Sequence, residues 1–219
     1  MPIPQVSERT EPSKLLREHP IIAVLRAKDA ADYDAVVDVL SANGVHSIEL
    51  TLSTPGTFEH LPALLANAGD DLEIGVGTIT TVEDAQRAID AGAQYLVTPL
   101  INLDIIALAL KHRMPVFPGG LTPSELHSAW QAGATAVKIF PAQTVGAKYG
   151  SHLRGPFPYL KFVPSGGVSF DDIPAWLNAG ATAVSLGGPL IGDALKGGSL
   201  HELAERTKRA VAIAGEAVR

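Results

Sequence analysis

An α/β protein of the (β/α)₈ TIM-barrel class, with an extra N-terminal helix, is what the sequence predicts, and three observations carry the prediction. Short apolar runs alternate with amphipathic segments from one end to the other, eight such runs can be read, and a weak repeat sets a glycine before several of them. The runs are IIAVLR (21–26), SIELTL (47–52), EIGVGTI (73–79), YLVTP (95–99), PVFPGG (115–120), AVKIFP (136–141), YLKFVPSGG (159–167) and AVSLGG (183–188). Their near-continuous apolarity suits parallel strands covered on both faces.

The stretch from Ser7 to Glu18 has a cap-like Ser, alternating charges and Leu15 with Leu16, so it is expected to form a helix closing the bottom of the barrel. Between the runs, segments such as DAADYDAVVDVLSANG and TVEDAQRAIDAG start near an Asp or Thr and end on Gly, the two ends of a capped helix. The repeat ANGVHSIEL, DAGAQYLVT, QAGATAVKI and NAGATAVSL puts Gly44, Gly92, Gly133 and Gly180 where a left-handed residue ends a helix. The segment 145–158, VGAKYGSHLRGPFP, reads as an extended loop over the barrel mouth. An open doubly wound sheet is the structural rival, but it normally carries a GxGxxG turn after its first strand, and here the first run continues into AVLRAKD.

A length of 219 residues, 46% hydrophobic and 18% charged, fits one domain over 1–219 better than two small cores. The net charge of -6 without any basic stripe argues against a nucleic-acid partner. With no cysteine, disulfides, thiolate metal sites and thiol nucleophiles are excluded, and the scattered His residues show no HxH or HExxH spacing, so no metal is expected. The first twenty residues lack the apolar core of a secretory signal and no run approaches a membrane span, so a cytoplasmic location and no membrane partner are expected.

Lys138 interrupts TAVKIFPA, an otherwise apolar strand. Apolar burial disfavours an ammonium relative to the neutral amine, and the neutral amine attacks carbonyls. The alternative is a lysine whose stem packs on the sheet while its head reaches water. Lys161 in YLKFVPSGG stands in the same relation to a following Pro, and is assigned an outward, structural role. Glu49 interrupts SIELTL in the same way. Strand alternation places Glu49 and Thr51 on one face and Ile48, Leu50 and Leu52 on the helix side, which aims the carboxylate into the barrel as a proton shuttle. A buried ion pair with Arg26 is the alternative. Arg26, ending the first run, can clamp a carboxylate or phosphate, or pair at the surface with Asp29 or Asp32. Ser165, Gly166 and Gly167, with Gly187 and Gly188, end the seventh and eighth runs, where many barrels hold phosphate on backbone N–H groups; simple tight turns are the alternative. Thr78 and Pro99 sit at other strand ends.

Taken together, IIAVLRA, GVHSIELTLSTP, IGVGTIT, GAQYLVTP, PVFPGGLTPSEL, GATAVKIFPA, GPFPYLKFVPSGGV and AVSLGG resemble the KDPG/KHG aldolase family over residues 20–190. The resemblance implies a metal-free class I aldolase without cofactor, splitting 2-dehydro-3-deoxy-6-phosphogluconate (KDPG) into pyruvate and glyceraldehyde 3-phosphate. It implies that Lys138 forms the carbinolamine and imine at C2 and that Glu49 moves protons. Thr78 and Pro99 then line the pyruvyl pocket, Phe140 packs on the carbon chain, and Gly166, Gly167, Gly187 and Gly188 hold phosphate. Similar enzymes are homotrimers, and some also cleave 4-hydroxy-2-oxoglutarate. Two positions depart from the pattern. Ser53 stands where some members have Arg, and Pro189 stands where many have a phosphate-binding Ser and can donate neither hydroxyl nor N–H. An aldolase for the galacto epimer or for a non-phosphorylated 2-keto acid is the alternative within the same chemistry; a phosphate-binding barrel without imine chemistry lies outside it.

Overall fold

A computed structural model describes residues 9–217 of the chain. Its strands are β1 (Ile21–Leu25), β2 (Ser47–Thr51), β3 (Glu73–Gly77), β4 (Leu96–Val97), β5 (Val116–Phe117), β6 (Gly119–Gly120), β7 (Val137–Ile139), β8 (Phe162–Pro164) and β9 (Val184–Leu186). All pair in parallel, in the orders β5-β4-β3-β2-β1-β9 and β6-β7-β8. The fifth run is thus divided at Pro118, which has no N–H for the ladder. Its carbonyl still accepts from the Lys138 N–H at 2.8 Å.

The parallel sheet is curled. Ile22, Tyr95, Val97, Phe117, Ala136, Val163 and Ala183 come from strands or strand entries spread over both ladders, yet they pack in one cluster on the concave face. At the far edges Thr182 N–H donates to the Phe162 carbonyl at 2.8 Å. The convex face carries Ile48, Leu50, Ile74, Val76, Val137 and their neighbours against the helices in a second, larger core. Ile48 and Leu50 are fully buried, and each contributes roughly 1.5–3 kcal/mol. A one-residue slip of β2 would turn both into the concave face and thrust Glu49 among the helices, so the pattern itself locks the register.

Capping residues set where the helices begin. Thr81 accepts from the Asp84 N–H ahead of Val82–Asp90, and Thr122 with Glu125 forms a reciprocal capping box ahead of Pro123–Gln131. Backbone and hydroxyl donors of Thr122 hold the Glu125 carboxyl below its usual range. Gly44, Gly92, Gly133 and Gly180 have φ between 93° and 109°, as expected of residues that end helices in the left-handed region.

Three expectations need amendment. The N-terminal helix spans only Lys14–Glu18, capped by Ser13, and Ser7 lies outside the described residues. Its Leu16 inserts into the concave-face cluster, so the helix covers one end of the sheet. Segment 145–158 is not an extended loop. It contains a helix, Ala147–Arg154, that starts from Gly146 at φ 70°, and a Cβ at its Gly150 would lie 2.7 Å from the Phe162 ring. Gly150, needed for this close packing, and Gly146, with its positive φ, made the segment read as irregular. Lys161 is not on the helix side either. It precedes Val163 by two residues, so it shares the concave face, but at the opposite end of the sheet, where it pairs with Glu11. Among the described residues no helix is long and apolar enough to cross a membrane.

Candidate active site

At the C-terminal ends of the strands the concave face opens into a cavity of about 590 Å³. Two ionisable side chains meet there in nearly complete burial. Lys138 of β7 is 7% exposed and Glu49 of β2 is 2% exposed, and Lys138 Nζ lies 3.7 Å from Glu49 Oε1. Burial of one charge alone would be costly, and each partner offsets the desolvation of the other. The Phe140 ring, partly exposed at the mouth, has its centroid 5.2 Å from the same Nζ.

Glu49 occupies space that its neighbours leave open. It pairs in register with Gly75 of β3, and its carboxylate leans over Gly77 two residues on. A Cβ on Gly77 would stand 1.9 Å from Glu49 Oε1, so that residue has to be glycine while the carboxylate keeps its position. Beneath, the Tyr95 ring lies against Gly75, where a Cβ would be 2.3 Å from it. Burial, reinforced by the Glu73 and Glu49 carboxylates, holds the Tyr95 phenol well above its ordinary range and therefore neutral. Lower on the same face, burial raises the Glu73 carboxyl, and a hydrogen bond from Ser47 opposes the shift in part.

The remaining wall matches the residues singled out in the sequence. Arg26, Thr78, Pro99, Phe140, Ser165, Gly166, Gly167, Gly187 and Gly188 all line the cavity with Lys138 and Glu49. Arg26 makes no ion pair among the described residues, so neither its pairing with Glu49 nor that with Asp29 or Asp32 is present. Thr78 has φ 62°, a strained setting for a β-branched residue, and it turns the chain at the end of β3. Gly166 and Gly167 take φ 87° and 76°. Side chains there would strike the Phe140 ring and Gln143. At Gly188 a Cβ would meet nothing, and at Gly187 only Val24 at 4.0 Å, so the missing side chains leave room in the cavity and relieve no protein contact. The Ser165 hydroxyl is buried and donates to the Ser185 hydroxyl at 3.3 Å.

Sequence reasoning missed several lining residues. Ser185 was reachable by alternation from Gly187, as Thr51, which also lines the cavity, was from Glu49. Lys196, Leu195 and Ile191 lie beyond the last strand, where no pattern pointed to the cavity. Among the described residues no group of three or more His, Asp or Glu side chains is arranged to hold a metal ion.

The family model for KDPG and KHG aldolase matches residues 13–205. The 2-dehydro-3-deoxy-6-phosphogalactonate aldolase of Escherichia coli is 33% identical over 78% of this chain and 84% of its own length. The 2-dehydro-3-deoxy-phosphogluconate aldolase of Haemophilus influenzae is 34% identical over 74% of this chain and 76% of its own. Among solved structures, KDPG aldolase from Legionella pneumophila, with pyruvate captured at low pH as a covalent carbinolamine intermediate, superposes with a TM-score of 0.81 at 27% identity, covering 91% of this chain and 96% of that one. With the family model spanning most of its length, the chain belongs to the KDPG and KHG aldolase family and is a lyase of the aldolase type.

Proposed function

We propose that the chain is a class I aldolase that cleaves 2-dehydro-3-deoxy-6-phosphogluconate to pyruvate and glyceraldehyde 3-phosphate through an imine on Lys138. One observation carries the proposal: a buried amine and a buried carboxylate stand 3.7 Å apart at the floor of a cavity whose rim bears two glycine pairs. Glu49 takes a proton from the Lys138 ammonium, the freed amine attacks the C2 ketone to give a carbinolamine, and return of that proton to the departing water leaves the protonated imine. Glu49 takes the proton of the C4 hydroxyl. The C3–C4 electron pair flows toward the imine nitrogen, glyceraldehyde 3-phosphate departs, and an enamine remains. Protonation at C3 and hydrolysis release pyruvate and restore the amine. Glu49 is within reach for each proton step, directly or through one water. Thr78 and Pro99 flank the pyruvyl end, Phe140 covers the carbon chain, Arg26 offers its guanidinium to an anionic group, and the backbone of Ser165, Gly166, Gly167, Gly187 and Gly188 receives the phosphate.

The test is borohydride reduction in the presence of pyruvate followed by tandem mass spectrometry. An adduct on Lys138 is expected, and a wild-type chain that takes up no pyruvate would refute imine chemistry. The likeness to the phosphogalactonate aldolase supports a second substrate reading, the C4 epimer of the same acid. Steady-state rates on both epimers and on 4-hydroxy-2-oxoglutarate decide between them. The finer architecture is proposed as a closed (β/α)₈ barrel, supported by the Thr182–Phe162 hydrogen bond that joins the outer edges of the two ladders. By family resemblance the enzyme is proposed to work as a homotrimer in the cytoplasm. Light scattering should then give three times the 22.9 kDa chain mass.

A further inference from the structure

We propose that Lys196 supplies the cationic contact to the substrate's phosphate, a role no motif assigns to it; the inference rests on the aldolase reading above. The charges facing the cavity are few. Arg26, Lys138 and Lys196 line it on the positive side and Glu49 on the negative side. The substrate brings a carboxylate and a phosphate. Lys138 is committed to the imine and to its pairing with Glu49. Two cations are left for two anionic ends, and neither makes an ion pair among the described residues.

Position separates their tasks. Arg26 follows β1, whereas Lys196 belongs to the segment that leaves Gly187 and Gly188 and runs on along the cavity wall. Along that segment Pro189 has no N–H to offer, so the backbone cradle lacks a donor there. An ammonium a few residues further on compensates for it as a mobile point charge, which suits phosphate.

The segment is held in place. Arg206, from the helix Leu200–Ala217, donates to the carbonyls of Leu190 and Ile191 at 2.8 and 2.9 Å. Gly192 gives it room, since a Cβ there would lie 2.7 Å from Arg206 Nη2. Ala194 and Leu195 are buried immediately before Lys196. Asp193, the carboxylate nearest in sequence, is packed over Gly198, where a Cβ would meet its Oδ1, and neither it nor Asp32, on the short helix that packs against this segment, lines the cavity. A fixed backbone therefore presents a lysine that forms no ion pair with an acidic side chain among the described residues.

The test compares Lys196→Ala, Lys196→Arg and wild type on 2-dehydro-3-deoxy-6-phosphogluconate and on 4-hydroxy-2-oxoglutarate, which has no phosphate. In Lys196→Ala the ratio of kcat/KM for the phosphorylated over the unphosphorylated substrate is expected to fall about tenfold or more, through KM, as loss of one charge-assisted contact implies. Lys196→Arg should recover most of it, and added salt should narrow the gap between wild type and Ala variant. An unchanged ratio in Lys196→Ala, with a wild type that still traps pyruvate, overturns the assignment of Lys196 alone. A wild type that traps no pyruvate overturns the aldolase reading and this inference with it.

Discussion

Gly77→Ala is a substitution far smaller in chemistry than in effect. The position has no positive φ, so the backbone accepts alanine, and the whole consequence passes through the Glu49 carboxylate. The new methyl would stand 1.9 Å from Oε1, 2.5 Å from Cδ and 2.6 Å from Cγ. To regain contact distance the carboxylate must retreat by roughly 1 Å, and a misplacement of that size typically lowers turnover by about 100-fold. Crowding of the rigid sheet should also lower stability by about 1–3 kcal/mol. The assay is kcat for aldol cleavage, with pyruvate release coupled to lactate dehydrogenase, alongside borohydride trapping, which needs the Lys138 amine more than the shuttle. Expected are a kcat about 100-fold down and an adduct that still forms. A double-mutant cycle sharpens the test. In a Glu49→Gln background, already slowed by about 10²–10⁴-fold through loss of the base, Gly77→Ala should add little further loss. Full activity in folded Gly77→Ala, or strict additivity with Glu49→Gln, would refute the idea that this glycine acts by seating the carboxylate.

Other outcomes follow from the same geometry. Lys138→Ala should abolish trapping and, by leaving the Glu49 carboxylate buried without its partner, lower stability by about 3–5 kcal/mol; adding Glu49→Gln should recover stability but not trapping, and an adduct in either variant means a different amine reacts. Lys161→Ala should keep trapping and change stability by less than about 1 kcal/mol, because its partner Glu11 is exposed; loss of the adduct would contradict that placement. Thr78→Gly should leave the melting temperature equal or higher, since relief of roughly 1–2 kcal/mol of left-handed strain meets the entropy of glycine, while kcat/KM falls; a destabilised or fully active variant argues against strain at this turn. Burial raises the Glu73 carboxyl above its unfolded value near 4.5, so the unfolded chain releases that proton first and wild type loses stability as pH climbs from below 4.5 through the raised folded value. The stability advantage of Glu73→Gln in thermal melts should therefore grow from acid to neutral pH, and a gap that is flat or shrinks would count against it.

Much of this was legible because buried parallel strands write themselves as apolar runs, so one charge inside a run is conspicuous. Lys138 and Glu49 stood out that way, and alternation aimed Glu49 correctly. Gly44, Gly92, Gly133 and Gly180 were readable because a helix end restricts what can occupy it. The sequence could not reveal which strands adjoin. The fit of Gly77 under Glu49 depends on the β2–β3 register, and Lys161 differs from Lys138 only in which end of the sheet it occupies. Thr78 carries a backbone strain that no residue type announces. The helix Ala147–Arg154 was hidden because Gly146 and Gly150, needed for a left-handed entry and a tight approach to Phe162, look like loop residues in isolation.

Leu16, Ile22, Tyr95, Phe117 and Val163 stopper the concave face below Lys138 and Glu49. The cavity is consequently closed at that end. Whatever is tethered to the amine at the bottom waits behind whatever lies nearer the opening. In the proposed reaction the aldehyde fragment then exits first and pyruvate last, and in the condensing direction pyruvate enters ahead of its partner.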